Sequence, residues 1–340
     1  MLRHPDYTRG RIARTAMRLR QLVYADVRPV DSLQISPCVG RISYDEALAL
    51  PYRDVALGEQ LGPTWSTYWL DIAATAPAEW TGDRVDLRFS SHSEATLWVD
   101  GRSVQGLNSG TGSPGDRSEA VLRRAAAAGE RLTFRIEIAC NGKFGELGRP
   151  FASLEPVVLD RCEIARFDEP AWRLFHDLDV LRQLEAQHDA GLERALAGRL
   201  LSELNRFCNV WSADDRGTWE EAGEVLARLY ENHNGSYGHE VSAVGHAHID
   251  TAWLWPVAET YRKCVRTFSS QTAYMDDYPE YRFACSQAQQ YTWIKERNPD
   301  LYRRIQERVE RGQFIPVGGT WIEPDCNIPS GESLVRQFLL

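Results

Sequence analysis

The sequence predicts an α+β multidomain protein in which an antiparallel β-sandwich is followed by a helical connector and the opening part of a (β/α) barrel. Three observations predict it: short alternating strands between residues 34 and 168, helical periodicity over 169–237, and strand–helix alternation over 238–340. The first pattern is typical of antiparallel sandwiches. The last indicates a parallel sheet or barrel.

Composition restricts the classes of partner. The 39 basic and 48 acidic residues give a net charge of −9, so no sequence-wide attraction for nucleic acid or anionic lipid is expected. The seven cysteines are odd in number, widely spread and contain no CxxC pair, which favours reduced thiols. With neither a signal peptide nor a long apolar run, we expect a cytoplasmic protein with no membrane partner.

Residues 1–33 are predicted to hold one amphipathic helix. Between positions 7 and 24, apolar residues recur three or four positions apart at Ile12, Ala16, Leu19 and Val23. We expect this helix to pack on another domain or on a second copy of the chain in a homo-oligomer.

The segment 34–168 is predicted to form the sandwich, because its short β-rich runs are separated by turn residues. The Asp-Gly pair between Val99 and Arg102 is typical of a tight hairpin turn. The predicted strands are Thr67–Ala73, Val85–Phe89, Ala95–Val99, Leu132–Ile138 and Val157–Leu159.

The connector is predicted to contain three helices, near 171–185, 189–208 and 217–232, and strand–helix alternation follows. Three strands cannot close a barrel, which needs about eight, so we expect the chain to stop inside a larger domain. The predicted strands are Val241–His246, Tyr281–Cys285 and Phe314–Val317, and the predicted helices are Val257–Tyr274, one or two over Ala288–Arg311, and Glu332–Leu340.

Metal-capable residues occupy every second position directly after the first of these strands. If that strand continues, His246, His248 and Asp250 leave one face of it. Two imidazoles beside a carboxylate form the ligand set of a catalytic zinc. The alternative is a buried histidine pair of the core. Three such groups in register, followed by two tryptophans, favour the metal site.

Two carboxylates, Glu323 and Asp325, follow the third strand. Functional groups of barrel enzymes gather at the carboxyl ends of the strands, so parallel strands would bring Asp325 to the same rim as the metal motif. Spacing alone leaves three roles open for such a carboxylate: bystander, metal ligand or nucleophile.

Three motifs, Gly245–Pro256, Gly318–Asp325 and Gly331–Gln337, resemble those of the retaining α-mannosidases of glycoside hydrolase family 38, and the similarity is greatest to the cytosolic and bacterial branch. The resemblance covers nearly the whole chain but only the opening part of the catalytic barrel. It implies a seven-stranded barrel and a zinc-dependent retaining α-mannosidase that hydrolyses terminal α-mannosyl residues of oligosaccharides.

The resemblance also implies roles for individual residues. His248 and Asp250 match the first two ligands of one zinc ion, for which another divalent metal is the alternative. Asp325 matches the residue that is both zinc ligand and nucleophile. Trp253 matches the aromatic residue beside the bound mannose, and His246 becomes an orienting neighbour.

Glu323 receives no role from the resemblance, and two groups of the family pattern are missing. The remaining zinc ligand, a His, and the acid/base, an Asp, lie downstream in the family, yet no His follows His248 here and the sequence ends at Leu340. We therefore expect the 340-residue chain to be an incomplete part of the enzyme with little or no activity by itself.

Two other functions compete. A metal-dependent amidohydrolase also carries His-x-His after the first barrel strand, but it would leave the Asp325 motif unexplained. A non-catalytic carbohydrate-binding module would use the β-sandwich, where Trp65, Trp69, Trp80 and Trp98 could stack on sugars. For most of these tryptophans a buried position is the preferred interpretation.

Overall fold

The computed structural model of the chain describes residues 4–108, 116–141, 157–191, 194–231 and 241–339. Contacts divide the chain into two compact units. The first consists of Met1–Val27 and Ala165–Val241, and the second of Arg28–Ile164 and Ser242–Leu340. The N-terminal helix and the helical connector thus belong to the first unit, and the β-sandwich and the C-terminal segment belong to the second. The predicted boundary between residues 237 and 238 lies outside the described residues.

The elements are numbered in chain order within the described residues. The helices are α1 (Pro5–Leu22), α2 (Tyr44–Leu48), α3 (Glu169–Ala190), α4 (Arg194–Val210), α5 (Trp219–Tyr230), α6 (Val257–Asp277), α7 (Ala288–Arg297), α8 (Pro299–Glu310) and α9 (Gly331–Arg336). The strands are β1 (Asp26–Pro29), β2 (Ser32–Ile35), β3 (Arg53–Asp54), β4 (Gln60–Leu61), β5 (Thr67–Thr75), β6 (Val85–Ser90), β7 (Glu94–Val99), β8 (Arg102–Asn108), β9 (Glu119–Arg123), β10 (Arg131–Ala139), β11 (Val157–Val158), β12 (Arg161–Arg166), β13 (Gly245–His246), β14 (Phe283–Cys285) and β15 (Phe314–Pro316).

The first unit is helical, and α1 shares one apolar core with α3, α4 and α5. Ile12 and Leu19 of α1 are buried together with Leu178 of α3 and with Leu204 and Phe207 of α4. Burial of such stripes is what stabilises short helices in water. No helix among the described residues has the length and apolar character needed to cross a membrane.

The first connector helix is longer than predicted. It continues to Ala190, past the predicted break between 185 and 189. Partners from far along the chain lie at this point: Arg9 of α1 is 2.8 Å from Glu185, whose side chain is buried, and 3.0 Å from Asp189. Helical periodicity of the local sequence cannot show these ion pairs, so the predicted break was wrong.

The predicted antiparallel β-sandwich is confirmed. One sheet has the strand order β1-β12-β6-β9 and the other the order β3-β2-β5-β10-β7-β8. Both sheets bury side chains in a single core. In the larger sheet β10 is central and pairs antiparallel with both β5 and β7.

The tight hairpin between β7 and β8 is also confirmed. Asp100 and Gly101 both have positive φ angles, of 50° and 77°. A two-residue hairpin turn of this kind requires positive φ at both central positions, and Asp-Gly tolerates it well.

A small parallel sheet, in the order β13-β14-β15, opens the C-terminal segment. The prediction of a strand over Val241–His246 was too long, because only Gly245 and His246 pair with β14. Val241 and Val244 are exposed, so no burial holds the preceding residues in a strand. The closed barrel stays a prediction.

Helix α6 is buried on nearly all sides. Its apolar residues Val265, Phe268 and Met275 face the core shared with the parallel sheet. Strand β8 of the sandwich packs against another face, so closely that a Cβ atom on Gly106 would lie 2.8 Å from Cβ of Arg266. Glycine at position 106 therefore permits the contact between the sandwich and α6.

The face of α6 toward the sandwich is charged. A buried network joins four charged residues of the helix to glutamates of β7 and β10. Its ion pairs are Glu94–Lys263 (2.6 Å), Glu94–Arg266 (3.0 Å), Glu259–Arg266 (2.8 Å), Glu259–Arg262 (3.1 Å) and Glu137–Arg262 (2.8 Å). Buried ion pairs add little net stability, but breaking one leaves an unpaired charge and is costly.

Acid should weaken this interface. Burial by itself raises the pKa of Glu94, but the charges of Arg266 and Lys263 outweigh burial and lower it from 4.5 to about 2. A carboxyl group with a lowered pKa contributes stability above its unfolded-state pKa and loses it as the pH falls through the folded-state pKa. The free energy of unfolding should therefore fall by about 3 kcal/mol from this group between pH 5 and pH 2.

Urea denaturation across that pH range would measure the effect, with Glu94→Gln as the matched variant. The variant should be less stable at pH 7 and should show a shallower loss in acid. Equal pH dependence of the two proteins would contradict the assignment to Glu94.

Candidate active site

Loops from all three parallel strands meet at one edge of the small sheet, because carboxyl ends of parallel strands share an edge. We call residues 247–256, which follow β13, the site loop, and residues 317–330, which follow β15, the acidic loop. Ser286 and Gln287 follow β14 between them. The sequence motifs singled out above therefore lie together at the sheet edge where α/β proteins hold ligands.

The site loop has no regular structure, yet buried side chains fix its backbone. The side-chain amides of Gln287 and Gln290 both donate to the carbonyl oxygen of Ile249, at 2.8 and 2.7 Å. The hydroxyl of Thr260 donates to the carbonyl oxygen of Thr251, at 2.8 Å. These donors are buried, so the hydrogen bonds that hold the loop backbone are shielded from water.

His248 and Asp250 converge, although not as residues of a strand. Strand β13 ends at His246, so the prediction that all three residues leave one strand face was wrong. Nε2 of His248 nevertheless lies 3.1 Å from Oδ1 of Asp250. His246 contacts the neighbouring strand instead, with Nδ1 lying 2.9 Å from the carbonyl oxygen of Ala284.

Glu323 is the residue that sequence reasoning left without a role. Its carboxylate contacts Nδ1 of His248 and accepts a hydrogen bond from the hydroxyl of Ser286. Like Asp325, Glu323 lies in the loop that follows the third strand, so its position in the sequence was a signal for the same sheet edge. The structure thus surrounds His248 with two carboxylates.

These carboxylates set the protonation of His248. Burial lowers the pKa of the imidazole, but the hydrogen bonds and charges of Asp250 and Glu323 outweigh burial and raise it. A partner carboxylate that fixes one ring nitrogen also fixes the orientation of the other, as in histidine ligands of metals.

Asp325 lies in the acidic loop apart from this cluster. It is exposed, and its Oδ1 accepts a hydrogen bond of 2.7 Å from the backbone amide of Asn327. Within the described part of the chain, no three His, Cys, Asp or Glu residues are spaced to hold a metal ion. Zinc is commonly bound by imidazole nitrogen and carboxylate oxygen, so His248 and Asp250 fit as two of its ligands. Asp325 makes no hydrogen bond or ion pair with either of them among the described residues.

Trp253 projects from the site loop and is 51% exposed. Its ring meets Trp255 edge to face, with ring centroids 5.7 Å apart and an interplanar angle of 89°. Trp255 itself is buried. An exposed indole held by a buried one presents a flat apolar surface on which a sugar ring can stack.

The sandwich tryptophans offer no such surface. Trp69 and Trp80 are fully buried, and Trp65 and Trp98 are half-buried and pack against the core of the C-terminal segment. The preferred interpretation of these residues as core is therefore supported, and the binding-module alternative loses the residues it was built on.

A pocket of about 180 Å³ opens beside His248. The site loop and α6 form one side of it, and β7 and β8 of the sandwich form the other. Its lining includes His248, Trp255, Lys263, Arg266, Glu94 and Asn108. The surroundings of the candidate site are thus built partly by the sandwich.

Comparison with known proteins assigns the sandwich and the C-terminal segment to two separate domains. Residues 238–340 match the N-terminal domain of the glycosyl hydrolases of family 38, and residues 28–165 match the jelly-roll domain of α-mannosidase. The chain is 40% identical to human α-mannosidase 2C1 over 96% of its length and 37% identical to α-mannosidase G of Dictyostelium discoideum over 100%. It is 33% identical to an α-mannosidase of Saccharomyces cerevisiae over 87% of its length.

The aligned part is a minor share of each relative. It covers 31% of the human protein, 32% of the Dictyostelium protein and 28% of the yeast protein. The chain therefore spans about a third of the length of the curated relatives it matches.

Proposed function

Because the chain resembles the N-terminal part of the family 38 α-mannosidases in both its jelly-roll and its catalytic segment, we propose that it forms part of a zinc-dependent retaining α-mannosidase. The proposed reaction is hydrolysis of terminal α-mannosyl residues of oligosaccharides. The observation that carries the proposal is the His248–Asp250 pair, 3.1 Å apart, at the carboxyl ends of the parallel strands within the matched catalytic segment.

The proposed metal ligands are His248, Asp250 and Asp325, with another divalent ion as the alternative to zinc. When bound, the ion keeps a carboxylate ligand ionised and gathers the sugar hydroxyls beside the reacting carbon. Glu323 contacts Nδ1 of His248 and thereby orients Nε2 toward the proposed position of the metal ion. His246 braces the start of the site loop against β14.

Asp325 is the proposed nucleophile. Its carboxylate attacks the anomeric carbon and forms a covalent glycosyl ester, while a second carboxyl group about 5–5.5 Å away protonates the leaving oxygen. The deprotonated second group then activates water, which releases mannose with its original configuration. Trp253 stacks on the sugar and holds it in position for this attack.

We propose a cytoplasmic location as well. All seven cysteines lie in the described residues and none forms a disulfide, and five of them are buried. Burial raises the pKa of Cys162 to about 12 and that of Cys140 to about 11, which keeps these thiols protonated and unreactive. Such thiols fit a reducing compartment.

The protein expressed in full from its native gene should hydrolyse 4-nitrophenyl α-mannoside and spare the β-mannoside. Dialysis against a chelator should abolish the activity and zinc should restore it, since the proposed nucleophile, Asp325, is also a proposed ligand of the ion. Proton NMR of the first product should show the α-anomer, as retention requires. Mannose-like iminosugars should inhibit, which an amidohydrolase would not show. Full activity after metal removal, or a β-anomer as first product, would contradict the proposal.

A further inference from the structure

The side chain of Lys263 joins the buried network to an aromatic ring of the site loop. Its ammonium nitrogen lies 4.4 Å from the centroid of the Trp255 ring and 2.6 Å from a carboxylate oxygen of Glu94. An ammonium group over the face of an indole is attracted by the ring, and the more so when both are desolvated. Strand β7 of the sandwich is thus connected through two contacts to a residue of the site loop.

Trp255 connects Lys263 to the rest of the site loop. It is 8% exposed, and its indole N–H donates to the hydroxyl of Thr260 at 3.0 Å. The same hydroxyl donates to the carbonyl oxygen of Thr251, the residue after Asp250. The ring of Trp255 also supports that of Trp253. A displacement of Trp255 would therefore move both the carboxylate of Asp250 and the exposed indole of Trp253.

Stability alone does not explain why charges occupy this place. An apolar residue of similar volume would fill the position of Lys263 without the cost of burying an ammonium group, and such replacements are often neutral or stabilising. Unlike an apolar contact, a charged pair holds the cation at one defined point. Glu94 belongs to strand β7 and accepts a hydrogen bond from Asn141, which follows β10, so that point is set by the sandwich.

We propose that Glu94 is a positioning residue of the active site, and that it sets the site loop, with His248 and Asp250, through Lys263 and Trp255. The β-sandwich then contributes to the proposed metal site without touching the metal or the substrate. The inference rests on the proposed function only where it concerns metal binding.

The same interface provides a matched control. Glu137 of β10 is also buried and pairs with Arg262, the residue next to Lys263 in α6. Within the described residues neither Glu137 nor Arg262 has a hydrogen bond, ion pair or ring contact with the site loop. Loss of Glu137 should therefore weaken the interface and leave the loop in place.

The experiment uses the 340-residue chain labelled with 5-fluorotryptophan, with Trp253→Phe and Trp255→Phe to assign two of the 11 tryptophan signals. Fluorine NMR reports the surroundings of the two rings, and titration calorimetry with Zn²⁺ reports the metal site. Glu94→Gln and Lys263→Met should shift both signals and weaken zinc binding about tenfold. Glu137→Gln should leave the signals and the zinc affinity unchanged.

A double variant, Glu94→Gln with Lys263→Met, separates positioning from stability. It removes both charges of the pair, whereas Glu94→Gln alone takes Glu94 away from the buried ammonium group of Lys263, so its melting temperature should lie above that of Glu94→Gln. Its fluorine signals and zinc affinity should stay altered, because no cation lies over Trp255. Wild-type signals in the double variant, or equal shifts in Glu137→Gln, would overturn the inference. If the unaltered chain binds no zinc, the fluorine signals still decide the positioning role, and the chelator experiment on the full protein decides the proposed function.

Discussion

Residues 238–340 expressed without the rest of the chain are expected to remain largely unfolded, although they match a family domain by themselves. The reason lies in α6, whose charged residues are buried against the sandwich. Without the sandwich, Lys263 loses Glu94 and Arg262 loses Glu137, and the part of the C-terminal core that Trp65 and Trp98 cover is opened to water. A domain is stable by only about 5–15 kcal/mol, so exposure of this apolar surface should be enough to unfold the segment.

Near-ultraviolet circular dichroism and amide hydrogen exchange would measure the folded state of this segment. Residues 28–165 are the control, since their core is formed within the sandwich and they should fold alone. Cooperative unfolding and slow amide exchange in isolated 238–340 would show that this segment does not depend on the sandwich for folding. Adding the folded sandwich in trans should restore slow exchange in α6 if the interface is the cause.

The second large effect is expected at Asp325. Asp325→Asn keeps the shape of the side chain and an oxygen that can accept from the backbone amide of Asn327, so the acidic loop should stay intact. The amide cannot form the glycosyl ester, and loss of a nucleophile costs on the order of 10⁴-fold or more in turnover. The kcat/KM for 4-nitrophenyl α-mannoside, measured on the full natural protein, would show it.

Glu323→Gln, two residues away, is the matched comparison. Glu323 contacts His248 and Ser286, so its loss should weaken zinc binding by about 10- to 100-fold and leave activity recoverable at high zinc concentration. If instead Glu323→Gln abolished turnover at saturating zinc while Asp325→Asn did not, the roles of the two carboxylates would have to be exchanged.

The sandwich was predictable because its signals are local. Alternation along β5 or β10 records which side chains face the core, and the Asp100–Gly101 turn requires only two neighbouring residues with positive φ. The proximity of His248 and Asp250 was predictable for a related reason, since the two residues lie close in sequence as well as in space.

Other features involve partners that local periodicity cannot show. The charged face of α6 has the pattern of a solvent-exposed face, yet it is buried because Glu94, 169 residues before Lys263, supplies a counter-charge. Glu323 likewise acquires a contact with His248 only when β13 and β15 lie in one sheet.

Residue order therefore determines the strands, the helices and the residue types of the site, because propensity, periodicity and turn chemistry act between near neighbours. Which carboxylate meets His248, and which glutamate holds the cation over Trp255, depends on elements far apart in the chain. An ion pair needs two charges close in space whatever their separation in sequence, so those partners are settled only when the sheets and α6 pack together.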